Sequence, residues 1–126
     1  MTPHPRTARW LAGSLLLGIG AFQACVAAGA PWGRACYGGG HPGVLPGRLR
    51  ATSAGATFAY AGMAFLIARR PLDHRRQRRL HGVLAGVFSG AVVLNAISPS
   101  RLEAAIWAPT SALLAAALWA GRPPAP

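Results

Sequence analysis

Six arginines fall within the eleven residues from Arg69 to Arg79, and an apolar stretch of membrane-spanning length flanks them on each side. A short, arginine-dense segment between two spans is retained in the cytoplasm, because untranslocated loops carry the excess of basic residues. That feature restricts the chain to a polytopic membrane fold and predicts its orientation. Composition agrees: 52% of the 126 residues are hydrophobic and 12% are charged, against about 25% charged in soluble domains. All 13 basic residues are arginine, the only acids are Asp73 and Glu103, and the net charge is +11. In a soluble chain this balance would argue for nucleic-acid binding. Here the arginines lie between apolar segments with no aromatic-interleaved basic face, so no nucleic-acid partner is expected.

Four segments reach the roughly 20 apolar residues that a helix needs to cross the hydrocarbon core. They run at about 10–30, 51–68, 80–97 and 102–120. None shows the period-2 alternation of a membrane barrel, and helices are the other way to satisfy every backbone group in lipid. The expected fold is an all-α, four-helix transmembrane bundle forming one integral membrane domain over 1–126. The arginine-rich loop spans 69–79, and a Gly/Pro-rich outer loop spans 31–50. The second segment is the least apolar, interrupted by Thr52, Ser53, Thr57 and Tyr60. Arg6 and Arg9 ahead of Leu11–Gly20 also resemble a secretory signal peptide. Phe22 and Gln23 fit poorly before Cys25 as a processing site, and the apolar run continues to Ala30, so an uncleaved first span is expected.

Nine arginines fall on the side of the chain ends and the middle loop, and four (Arg34, Arg48, Arg50 and Arg101) on the other. This bias predicts both termini in the cytoplasm. Trp10 and Trp119 then lie at the inner ends of their spans, and Trp32, Tyr37 and Trp107 near the outer ends, where interfacial anchors belong. Arg69, Arg70, Arg75, Arg76, Arg78 and Arg79 set this topology and are expected to contact anionic lipid head groups.

Span three carries Gly82, Gly86 and Gly90, and span four carries alanines at the same four-residue spacing. Small residues repeated along one face let helices approach closely in lipid. The glycine ladder is expected to pack against span four or against a second copy of the chain. Pro109 interrupts span four, with Thr110 and Ser111 placed to compensate the backbone. Cys25 and Cys36 both fall near the outer face, where a disulfide pinning the loop, or two unpaired thiols, fits their position. No Cys-x-x-Cys pair for disulfide exchange is present. No histidine spacing suggests a metal site, and neither a cofactor nor a catalytic activity is expected. No charge lies near a span centre; Asn95 is the most polar group deep in one and reads as an inter-helix hydrogen-bonding residue.

The run Trp32-Gly33, Tyr37-Gly38-Gly39-Gly40-His41-Pro42-Gly43-Val44-Leu45-Pro46 and Arg48, followed by Asn95, Ser98-Pro99-Ser100-Arg101-Leu102-Glu103 and Ile106-Trp107-Ala108-Pro109, resembles small four-span integral membrane proteins of high-GC Gram-positive (actinobacterial) bacteria. The resemblance covers about half the chain, implies the architecture, and carries no activity, cofactor or substrate. It also implies a shared outer surface on which His41, Arg48, Asn95, Arg101 and Glu103 converge, with Glu103 ion-paired to Arg101 or Arg48. The leading functional expectation is a structural or accessory subunit of the bacterial cytoplasmic membrane, packed against itself or another membrane protein. An oligomeric transporter or channel for a small solute is the alternative, and a membrane thiol-disulfide enzyme a third. An intramembrane acid or a polar stripe along one helix would favour the transporter, and the sequence shows neither.

Overall fold

The computed structural model describes residues 3–126 and contains four long helices: α1 (Pro5–Ala28), α2 (Gly47–Arg69), α3 (His74–Ala96) and α4 (Arg101–Ala120). All four are long and apolar enough to cross a membrane, making this a multi-pass membrane protein with an all-α bundle. Two single-turn 3₁₀ segments, Gly33–Ala35 and Tyr37–Gly39, interrupt the connection between α1 and α2.

Each helix end has a local cause. Pro5 occupies the first turn of α1, where its missing N–H costs nothing. Gly29 closes α1 in the left-handed conformation, its N–H bonded to carbonyls of the last turn. Asp73 caps α3 by accepting the Arg76 N–H at 3.0 Å, and Ser100 caps α4 by accepting the Glu103 N–H at 3.2 Å. Capping at Asp73 corrects the expected loop. The connection between α2 and α3 is only Arg70 to Asp73, and Arg75, Arg76, Arg78 and Arg79 belong to the first turns of α3. Arginine is a good helix former, so the helix continues past the apolar stretch that hydropathy detects. For the same reason α2 begins at Gly47 and carries Arg48 and Arg50.

The helices run up, down, up and down. The first turns of α1 and α3 meet the ends of α2 and α4 at one end, which holds most of the arginines. There Gln77 donates to the Leu66 carbonyl at 2.8 Å, and Arg122 donates to the Arg78 carbonyl at 3.2 Å. The long 29–46 connection covers the opposite end. α1 packs most extensively on α2, and α3 on α4, with α1 against α4 joining the two hairpins. Leu16, Ile67, Leu84, Phe88, Leu114 and Leu118 fill the shared core. The outward faces carry Phe58, Phe65, Val87 and Leu94, all exposed. Such a girdle is an aggregation hazard in water and the expected surface in lipid.

The glycine ladder does not seal the α3–α4 contact. A Cβ on Gly82 would meet the Arg122 guanidinium at 3.1 Å, while Gly86 and Gly90 have no atom within 4 Å of theirs. Gly82 and Gly86 border an open groove of about 630 Å³, whose far wall includes Ala112 and Ala116 of α4. The bundle interior instead takes the neighbouring stripe of α3 (His81, Leu84, Ala85 and Phe88), because larger side chains are needed to fill a four-helix core. The glycines that permit close helix approach lie on α1. A Cβ on Gly13 would sit 3.3 Å from Ala68 Cβ, and one on Gly20 would sit 3.2 Å from Tyr60 Cβ. Gly20→Leu should therefore destabilise the bundle by about 1–3 kcal/mol through overpacking. Gly86→Leu should change it by less than about 0.5 kcal/mol. Thermal unfolding in mild detergent, followed by circular dichroism, separates the two; equal effects would contradict this packing.

Candidate functional site

The loop end is built around Glu103, in the first turn of α4. Its Oε2 accepts the Gly38 N–H at 2.9 Å and the Ser98 hydroxyl. One carboxylate thus ties the 29–46 connection to the α3–α4 turn. The Ser100 hydroxyl donates to the Arg34 carbonyl, and Trp107 Nε1 donates to the Ala35 carbonyl at 2.6 Å. Tyr37 reaches the opposite side, its hydroxyl 2.9 Å from that of the buried Ser53 on α2. Arg50 donates to the Ala27 carbonyl at 2.9 Å, fastening the end of α1. α2, α4 and the α3–α4 turn therefore hold this loop down.

Two close approaches shape the loop itself. Gly33 N–H bonds to the Gly43 carbonyl at 2.9 Å, and a Cβ at Gly33 would fall 1.7 Å from the His41 carbonyl oxygen. Gly39 adopts φ +72°, and a Cβ there would meet Ser100 Cβ at 2.7 Å. Only glycine fits either position without displacing backbone.

Beneath the loop lies a chamber of about 280 Å³. Ile19, Phe22 and Gln23 of α1, with Tyr60 of α2, form one side. Phe88, Ala91 and Asn95 of α3 face Glu103, Trp107 and Ser111 of α4, and Cys36 and Tyr37 form the roof. Phe22 meets Trp107 edge-on at 4.7 Å between centroids and stacks on Trp32 at 5.7 Å. Asn95 Nδ2 donates to Ser111 Oγ at 3.2 Å, the inter-helix bond its depth suggests. Gln23 Oε1 is buried and has no hydrogen-bond partner.

The expected five-residue cluster divides. Asn95 and Glu103 line the chamber, whereas His41, Arg48 and Arg101 are exposed and form no part of its lining. The expected ion pair is replaced by neutral donors. Among the described residues the one salt bridge joins Arg76 to Asp73 at 3.3 Å, and no basic group pairs with Glu103. Backbone and hydroxyl donors within the loop reach the carboxylate first, while Arg48 and Arg101 extend into the surroundings. Trp107 likewise turns inward rather than anchoring at the interface. Gln23, Tyr37 and Trp107 line the chamber and Ser98 braces Glu103, placements that sequence reasoning missed. For Ser98 and Ser100, the signal was the Ser-x-Ser-x-x-Glu spacing ahead of α4.

The cysteines do not pair: Cys25 lies exposed on α1, and Cys36 is buried against Val26 and Leu45. Burial, and then the negative charge of Glu103, push the Cys36 thiol above its ordinary range. Folding therefore favours the neutral thiol. Above about pH 8.5 an unfolded chain ionises Cys36 first, and the stability this residue contributes declines as pH rises through its folded value. In a Cys25→Ser variant, iodoacetamide at pH 8 should modify Cys36 at least tenfold more slowly in the native bundle than after unfolding. Equal rates would place Cys36 outside the packed loop. No group of three His, Cys, Asp or Glu able to hold a metal occurs among the described residues. The chain matches no protein-family model, no curated protein and no solved structure.

Proposed function

We propose that this chain is a small-solute-binding protein of the bacterial cytoplasmic membrane, of the carrier or channel class, with the chamber beneath its outer loop as the binding site. The observation that carries this reading is the lining. Gln23, Tyr60, Asn95 and Glu103, from four different helices, open onto one space that remains unfilled at the end of an otherwise apolar bundle. A concave site with an apolar wall and a few convergent polar groups is the usual form of a ligand pocket. Polar groups placed in a membrane bundle are costly to keep without a role. The nine-to-four arginine bias puts the termini in the cytoplasm and the chamber toward the outer face. Arg69, Arg75, Arg76 and Arg79, exposed at the inner end, then meet anionic head groups, each contributing about 1 kcal/mol.

Ala91→Leu fills the chamber without touching the hydrogen bonds of Glu103. A panel of small polar solutes should raise the unfolding temperature of the wild-type protein in mild detergent and leave Ala91→Leu unmoved. A panel that shifts neither protein, or both equally, removes the chamber from function.

An accessory-subunit role is the second reading, favoured by the open glycine-bordered groove between α3 and α4. Crosslinking in native membranes followed by mass spectrometry tests it: a stoichiometric second membrane protein on the Gly86 and Ala112 face supports it, and none there counts against it. Thiol-disulfide exchange is disfavoured by the separation of the two cysteines and by the raised pKa of Cys36.

A further inference from the structure

The chemistry of the chamber lining specifies a charge and a donor pattern for its occupant. Glu103 is the one ionic group in the lining, and no cation pairs with it among the described residues. The chain carries 13 arginines, yet none of them lines this space. A half-buried carboxylate without a counter-ion leaves negative potential in the chamber, where charge is felt more strongly than in bulk water. Its Oε2 is held by Gly38 and Ser98, while Oε1 makes no hydrogen bond. Asn95 donates one amide N–H to Ser111. Glu103 is thus the acceptor in the lining that carries a full negative charge, and it calls for a ligand that brings charged N–H donors.

Five aromatic side chains border the same space: Phe22, Tyr37, Tyr60, Phe88 and Trp107, including both tyrosines of the chain. Aromatic faces attract ammonium and guanidinium groups through the ring quadrupole. A hard metal ion would demand six or more oxygen ligands, which this largely aromatic wall does not supply. The volume, about 280 Å³, is at the lower limit of small-molecule sites and suits an ion with a short apolar tail.

We infer that the chamber binds a small organic ammonium ion, with its N–H groups on Glu103 and its alkyl part against Ile19, Phe88 and Ala91. This inference rests on the chamber being a solute site and names the class of solute. The test is calorimetric titration of the full-length protein in mild detergent with n-butylammonium and with its neutral counterpart, 1-butanol. The expected result is saturable one-site binding of the ammonium and none of the alcohol. Glu103→Gln, which keeps a carbonyl acceptor for Gly38 and Ser98, should weaken binding at least tenfold. Ala91→Leu should abolish it, and Arg48→Ala, exposed and outside the chamber, should leave it unchanged. Equal binding of the alcohol, or full affinity in Glu103→Gln, overturns the ammonium assignment while the chamber remains a solute site. Absence of ammonium binding in the wild-type protein also overturns it. The solute reading falls with it only if the wider panel likewise fails to distinguish wild type from Ala91→Leu.

Discussion

Replacing Gly33 by alanine is expected to open the 29–46 loop and to cost about 3 kcal/mol or more, at the upper end of what overpacking does. The added Cβ would lie 1.7 Å from the His41 carbonyl oxygen and 2.8 Å from that of Gly43. Both obstacles are backbone, so no rotamer change relieves them. The 32–34 segment must separate from 41–43, and the Gly33 N–H loses the Gly43 carbonyl. Cys36 and Leu45 sit directly behind this contact with Val26, and Cys36 and Tyr37 roof the chamber. Two readouts should therefore move together: the unfolding temperature falls, and Cys36 becomes open to iodoacetamide in the still-helical protein. Gly40→Ala is the matched control, because nothing lies within 4 Å of a Cβ there. If Gly33→Ala leaves Cys36 protected, the loop does not close in the way described.

The helices were legible in the sequence because a membrane span is a one-dimensional signal: about 20 apolar residues bounded by arginine, proline or glycine. The chamber was not legible, and the reason is geometric. Its polar groups are dispersed, with Gln23 on α1, Tyr60 on α2, Asn95 on α3 and Glu103 on α4. Each alone reads as an ordinary hydrogen-bonding residue in an apolar helix, and the polar run Ser53, Thr57 and Tyr60 on α2 contributes only Tyr60 to the lining. Their convergence depends on how each helix is rotated about its axis. A 100° error, one residue along the helix, moves a side chain from the interior to the lipid. The same error separates the Gly82–Gly86–Gly90 stripe, expected at the α3–α4 contact, from the Ala85 and Phe88 stripe found there. Glu103 was expected at the end of the bundle that carries the long loop, where it lies, but was assigned a partner by charge. The structure instead gives it partners by reach, namely Gly38 and Ser98.

The two bundle ends differ in what their polar groups leave undone. At the arginine end the surplus charge is cationic and mostly exposed on the first turns of α3, so solvent and head groups are available to it. At the loop end Arg34, Arg48 and Arg101 point outward and Arg50 bonds the Ala27 carbonyl, so the charge left facing the chamber is one carboxylate. Exposed charge has many adequate partners, whereas enclosed charge restricts its partners by shape as well as sign. This is why the loop end, with the smaller charge, carries the stronger functional argument.

Trp107 links that roof to the bundle, and its removal should produce the second large effect. Trp107→Ala deletes the ring that meets Phe22 at 4.7 Å and the donor to the Ala35 carbonyl at 2.6 Å. A fully buried tryptophan truncated to alanine costs about 3–5 kcal/mol, and truncating the half-buried Trp107 should cost about 2–3 kcal/mol. Trp107→Phe separates the contributions. It keeps an aromatic face against Phe22 but leaves the Ala35 carbonyl without its donor, a loss of about 1 kcal/mol. Circular dichroism melting in mild detergent should therefore rank wild type above Trp107→Phe and both well above Trp107→Ala. n-Butylammonium affinity should follow a different order within the folded variants. Phenylalanine retains a ring face for the cation and should bind nearly as wild type does, whereas alanine removes one wall and should not. If Trp107→Phe lost as much stability as Trp107→Ala, the indole hydrogen bond rather than the ring packing would hold the loop. If the alanine variant melted like wild type, Trp107 would not join the loop to α4 at all.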